Sequence, residues 1–259
     1  MEQREQSSKT TAFHVAWGLV MQQLVMRYRR AWLGVTWMLL TPLLTMSIMS
    51  VALSLVFRIK TSELIAHILV SFLPFMLFQS IVSSASSALV AHQELIRRHN
   101  IPRLVFPISA VMLSIIEYLV ASVSLLILGP MLGLRLDLSI FAVFLGFLCI
   151  CLSATGLGLL GAIGTVHFRD LGHLIQVGLT LLYWMTPVIY TLSMIPDAYR
   201  KYFYANPLVS MLAMYTDPLL HGRFPPSHCI LIGSTVAVGS LVVGSYVFNK
   251  KASEVVYYL

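Results

Sequence analysis

Apolar residues fall in six long runs along this chain, at roughly 33–57, 64–91, 105–132, 138–166, 173–193 and 228–248. Each is near or above the roughly 20 residues with which an α-helix crosses a bilayer. Membrane strands would instead alternate apolar and polar positions in segments of about 10 residues. Hydrocarbon offers the backbone no hydrogen-bond partner, so the runs predict helices. Residues 11–30, "TAFHVAWGLVMQQLVMRYRR", read differently. Phe13, Trp17, Val20, Leu24 and Tyr28 recur at helical spacing, while Gln22, Gln23 and Arg27 take other faces. That pattern predicts an amphipathic helix in the membrane interface. A seventh span is the rival, opposed by the glutamines and the terminal arginines.

Two segments between the runs stand out. "AHQELIRRHNIPRLVFP" (91–107) gathers charge and histidine, and Pro102 and Pro107 punctuate it, predicting a short helix with breaks on both sides. A solvated loop is the plainer reading. "MIPDAYRKYFYANPLVSMLAMYTDPLLHGRFPPS" (194–227) is too apolar for a free loop and too broken by proline for a span. It predicts one or two short helices dipping back into the membrane, since irregular backbone survives there only under protein or in a watery cavity. The fold class expected is all-α integral membrane. It has six transmembrane helices, an N-terminal amphipathic interface helix (11–30) and short re-entrant helices between spans five and six. No repeat or linker divides residues 1–259, so one domain is expected.

Composition agrees: 58% of the 259 residues are hydrophobic and 10% charged, against about 45–50% and about 25% in soluble domains. With both termini inside, 11 of the Lys and Arg side chains lie on the cytoplasmic side and 6 on the other. The positive-inside rule therefore predicts cytoplasmic termini and places "HFRDLGH" (167–173) in the cytoplasm. The net charge of +7 borders the spans and forms no surface stripe, which suits anionic lipid and excludes nucleic acid. The polar start "MEQREQSSKTTAFHVAWG" has no early apolar core, so no signal peptide is expected. Cys149, Cys151 and Cys229 sit in apolar runs with no disulfide or zinc spacing.

Motifs narrow the function. "GLGLLG" (156–161) copies the dinucleotide fingerprint, but it lies inside a span with no acid about 20 residues on. Ala154, Gly158 and Ala162 put a small residue at every fourth position, which lets membrane helices approach closely; "SSASSA" (83–88) reads likewise. No phosphate-binding loop, metal-site spacing or catalytic motif occurs, so neither a catalytic residue nor a metal is expected. Glu117, in "LSIIEYLV", is an intramembrane acid, a pathway group or a structural partner. Phe72, Phe75 and Phe78 step along one helical face, and Tyr183, Trp184 and Tyr190 lie at similar depth in the fifth run. They form either an interfacial belt or a stripe of rings past which a glycan slides.

"RYRRAWLGVTWMLLTPLL" (27–44), "HFRDLGHLIQVGLTLLYWMTPVIYTLSMIP" (167–196) and "NPLVSM" (206–211) together resemble the polysaccharide-export permeases of the type-2 ABC transporter family, from about residue 18 to the end. The resemblance implies a non-catalytic permease of the bacterial inner membrane. It would pair with a second copy and bind two ATPase subunits, which would hold the ATP and Mg. The cargo would be a lipid-linked polysaccharide of O-antigen or capsular type. Glu94, Arg97, Arg98 and His99 on one loop, and His167, Arg169 and Asp170 on the other, would couple to the ATPase. Arg27, Tyr28, Arg29 and Arg30, with Leu33 and Gly34, would receive the lipid-linked substrate. Guanidinium groups suit a diphosphate, although topology and anionic lipid also account for such a cluster. The "RRHN" of the first loop departs from the hydrophobic-basic mix frequent in relatives. Exporters of small lipids or drugs, a secondary transporter and a membrane enzyme acting on polyprenyl phosphate are the rivals.

Overall fold

The computed structural model describes residues 2–29, 34–57, 61–99, 101–134 and 139–255, and all regular structure among them is helical. Arg30 and Leu33, expected to receive substrate, lie outside the described residues. The helices are α1 (Glu2–Tyr28), α2 (Trp37–Phe57), α3 (Thr61–Ala91), α4 (Gln93–Arg98), α5 (Val105–Leu128), α6 (Ile140–His167), α7 (Leu171–Trp184), α8 (Asp197–Tyr204), α9 (Pro207–His221) and α10 (Ser227–Lys251). Five of them, α2, α3, α5, α6 and α10, are long and apolar enough to cross a membrane. They match five of the six expected runs.

The sixth, expected at 173–193, is different. α7 has 14 residues, about 21 Å of helix, and ends before Thr186 and Pro187. Proline lacks an amide hydrogen and disfavours helix in the residue before it. The chain nevertheless continues in the same direction beside α3. Gln176 bonds to Ser83, Tyr183 packs on Phe75 and Phe72, and Pro187 and Tyr190 reach His67. Between Ser83 and His67 lies about 24 Å of α3 at 1.5 Å per residue. Thr186, Pro187, Val188 and Ile189 are buried. Distant side chains reach this stretch: His67 Nε2 donates to the carbonyls of Tyr190 (3.0 Å) and Pro187 (3.3 Å), and Asn206 Nδ2 donates to Thr186 Oγ1 (2.9 Å). Irregular backbone is tolerated because protein satisfies it.

α3 is the central element, touched by α2, α5, α6, α7 and α9. Its packing on α6 rests on the two small-residue stretches. A Cβ on Gly158 would stand 2.7 Å from that of Ala85, and one on Gly161 would collide with Ser86. Thr165 Oγ1 donates to the Ser86 carbonyl at 2.6 Å. On α6's other face Gly156 meets the backbone of Ser240, and Gly244 meets Gly156 itself, so α10 crosses without intervening side chains.

α1 is longer than expected and presents a different face. Ala16 and Leu19 are buried in a cluster that includes Phe106 and Ala110 of α5, and Val20 is buried too, while Phe13 and Trp17 are exposed. The small side chain of Ala16 permits the approach to α5; the large rings point away. α8 and α9 occupy the 194–227 stretch, with α9 buried between α3, α6 and α10. Asn206 caps α9, its side chain accepting from the Leu208 amide at 3.0 Å.

Candidate functional site

α1 brings Arg27 to Glu117 of α5, and the two side chains form an ion pair. Two groups assigned by sequence to separate roles therefore share one place. Beside them α2, α3 and α5 enclose a cavity of about 210 Å³, lined among others by Trp37, Thr41, Ser80, Ser114, Glu117 and Tyr118. Trp37 opens α2, so Glu117 stands level with the first turn of the shortest of the five long helices. Ser114 Oγ lies 2.9 Å from Ser80 Oγ and 3.2 Å from Ser84 Oγ, a polar seam that leads from the pair into the bundle. Arg29 is exposed one residue beyond α1, and Gly34 adopts a left-handed φ of 51° where the chain turns into α2.

The expected coupling loops share one end of the bundle. α4 is tied down by Ile96, 6% exposed, while Glu94, Arg97, Arg98 and His99 are exposed. Glu94 and Arg98 pair at 3.5 Å one turn apart. His167 closes α6, and Phe168–Asp170 makes a tight turn into α7 through the Leu171 amide on the Phe168 carbonyl. Phe168, Arg169 and Asp170 are all exposed. Among the described residues neither Arg169 nor Asp170 has an ion-pair partner.

The six rings do not form one stripe. Phe72, Phe75 and Phe78 are buried within the chain, with Tyr183 covering Phe75 (5.2 Å between centroids) and Phe72 (6.4 Å). Trp184 meets Tyr183 edge-on at 5.6 Å and is the exposed member. Tyr190 packs apart from them, on Phe203.

Sequence reasoning missed a polar cavity at the opposite end. It holds about 520 Å³ between the starts of α3 and α10, the stretch after α7, and α8–α9. Its walls include His67, Tyr204, Thr216, Asp217, His221, Arg223 and His228. Asp217 is buried, and Arg223 donates to its Oδ1 from Nε (2.9 Å) and Nη2 (2.7 Å). The only signal in the sequence was the acid within the apolar "MLAMYTDPLL". Among the described residues no cluster of His, Cys, Asp or Glu is arranged to hold a metal.

Long apolar helices, close small-residue packing and charge placed mostly in loops and at helix ends define a multi-pass α-helical membrane protein. The chain belongs to the ABC-2 type transporter family, whose model matches residues 15–220. It is 30% identical over 241 residues to the O-antigen export system permease protein RfbA of Myxococcus xanthus, covering 91% of this chain and 92% of that one. A Klebsiella pneumoniae protein of the same name is 25% identical over 230 residues, 88% of each chain.

Proposed function

We propose that this chain is the membrane permease of an ABC exporter that moves a lipid-linked polysaccharide, of O-antigen or capsular type, across the bacterial inner membrane. The observation that carries the reading is end-to-end similarity to O-antigen export permeases, at 30% identity over 91% of the chain. The chain performs no bond chemistry. Two copies enclose the path, and two separate ATPase subunits bind ATP and Mg at the end carrying α4 and the Phe168–Asp170 turn, which faces the cytoplasm with both termini. α7 and its broken extension make the sixth crossing, and α8 and α9 form the re-entrant pair on the far side.

Arg27, with Arg29 and Arg30, receives the diphosphate headgroup. Glu117 holds the Arg27 guanidinium until the headgroup arrives, and the diphosphate then replaces the carboxylate as the anion, with bidentate geometry. A position level with the start of α2 fits such a role, because a headgroup stays near the interface. The polar seam through Ser114 and Ser80 lets the glycan follow. Reconstitution with the cognate ATPase tests the whole reading: a defined lipid-linked glycan should stimulate ATP hydrolysis and appear across the vesicle membrane. Stimulation by short-chain lipids or drugs alone, with none by the glycan, would make the chain a small-molecule exporter instead.

A further inference from the structure

The polar cavity at the α8–α9 end takes no part in receiving the headgroup or in coupling, yet it concentrates chemistry that the rest of the chain avoids. Only 10 of 259 residues are Asp or Glu, and the buried Asp217 lies here. Its Oδ1 accepts both bonds from Arg223, leaving Oδ2 without a partner among the described residues. Its carbonyl accepts the Gly222 and Arg223 amides, so the carboxylate is mounted on a fixed turn. Around it Thr216, His221 and His228 offer hydroxyl and imidazole groups, and Tyr204 adds a ring. Val209, Leu212, Leu220 and Pro226 complete the walls as apolar surface.

Tyr204, His221 and His228 are exposed at the mouth, so a ligand entering this cavity must replace, like for like, the hydrogen bonds that water makes there. About 520 Å³ lies within the range of small-molecule sites, roughly 300–1,000 Å³. A phosphate is a poor match, because the guanidinium is already neutralised by Asp217. An acyl chain is a poorer match, because Asp217, Thr216, His221 and His228 interrupt the apolar wall. A pyranose fits both surfaces: its hydroxyl rim gives and takes hydrogen bonds with Asp217, Thr216 and the histidines, and its C–H faces lie on leucine, proline and the Tyr204 ring.

We infer that this cavity is a saccharide-binding site, sized for a pyranose unit and separate from the path through the membrane. The inference rests on the polysaccharide reading for its source of ligand, either the end of the exported glycan or a free sugar, which share the same ring chemistry.

The test is direct binding, so it is independent of transport. The full chain in lipid nanodiscs is examined by saturation-transfer NMR with the methyl glycosides of glucose, galactose, mannose and rhamnose, and with glucuronate. A lipid-matched empty disc is the control, and a delipidated oligosaccharide of the cognate glycan forms a second arm. At least one pyranoside should receive saturation, and Thr216→Val and His228→Gln should each weaken binding about tenfold, the loss of one to two good hydrogen bonds. Both variants leave the Asp217–Arg223 pair intact, and size-exclusion profiles confirm that they fold. Transfer to the oligosaccharide but to no monosaccharide would overturn a site sized for one pyranose unit. No transfer in either arm, or transfer unchanged in both variants, would overturn it. If export proceeds without such transfer, the saccharide site alone is wrong. If transfer occurs and lipid-linked glycan never stimulates the ATPase, the export reading is wrong.

Discussion

Arg27 on α1 and Glu117 on α5 stand 90 positions apart in the chain and form one ion pair beside a cavity. Arg27 is 56% exposed and Glu117 22%. Half-exposed pairs contribute little stability, about 0–1 kcal/mol. The pairing therefore has room to be broken by a competing anion.

The first prediction follows from that weakness. Glu117→Gln should lower, by a few-fold, the lipid-linked substrate concentration that half-stimulates ATP hydrolysis, because the competitor is gone. Arg27→Gln should raise it by about tenfold, a charged hydrogen bond's worth of affinity. The exchanged pair, Arg27→Glu with Glu117→Arg, should restore the contact and the expression level without restoring substrate sensitivity. Full rescue by the exchange would mean that the pair only holds α1 to α5.

Coupling makes a second prediction. Replacing Arg169 and Asp170 together by Ala removes two exposed charges that no described residue uses. The protein should insert and purify normally, while ATPase stimulation by the permease falls severalfold. Ile96→Ala approaches the same end from inside: a buried anchor of α4 is truncated, at a cost of about 2 kcal/mol. Unchanged stimulation in both variants would remove these loops from the ATPase contact.

His67 carries the third. As the donor to the Tyr190 and Pro187 carbonyls, it satisfies the break after α7. His67→Leu should lower the unfolding temperature in detergent, since a buried carbonyl left unpaired costs about 1–3 kcal/mol. His67→Gln, which keeps a donor at similar reach, should recover most of the loss. Equal melting of Leu and Gln variants would show that the side chain only fills space.

Helix packing supplies the fourth. Gly158→Leu and Gly161→Leu drive side chains into Ala85 and Ser86 of α3. Overpacking by more than a methyl or two costs at least about 1–3 kcal/mol, so both should lose monodisperse protein on fluorescence-detected gel filtration. Gly178→Ala, with nothing within 4 Å of its added carbon, should behave as wild type.

The aromatic residues give the last. Phe75, 1% exposed, is core, and Phe75→Ala should cost about 3–5 kcal/mol before it reports on any path. Trp184, 57% exposed at the end of α7, is the informative ring. Trp184→Ala should keep the melting temperature and reduce glycan export if rings guide the polymer. Undiminished export would leave Trp184 as an interfacial anchor.

The long apolar runs alone determined that this chain is built on membrane-length helices, because hydrocarbon leaves a peptide group no partner outside its own helix. The small-residue stretches at 83–88 and 154–162 also announced their purpose, and they pack on each other, since only residues without bulk let two backbones approach that closely. Charge placement marked the exposed turn at Arg169 and Asp170.

Other features depend on partners that are distant in the chain. An apolar run has the same composition whether the helix continues or stops. α7 stops at Trp184 because Pro187 follows, and the break survives because His67, more than a hundred residues earlier, reaches its carbonyls. The step of three from Phe72 to Phe78 shows a shared face but not what covers it; α7 laid across α3 turned those rings inward. Likewise Glu117, Arg27, Asp217 and Arg223 are single charges in the sequence. Folding brings Arg27 of α1 to Glu117 of α5, ninety positions away, and the turn that closes α9 folds Arg223 back onto Asp217, because in a medium of low dielectric a charge is tolerated where an opposite one meets it.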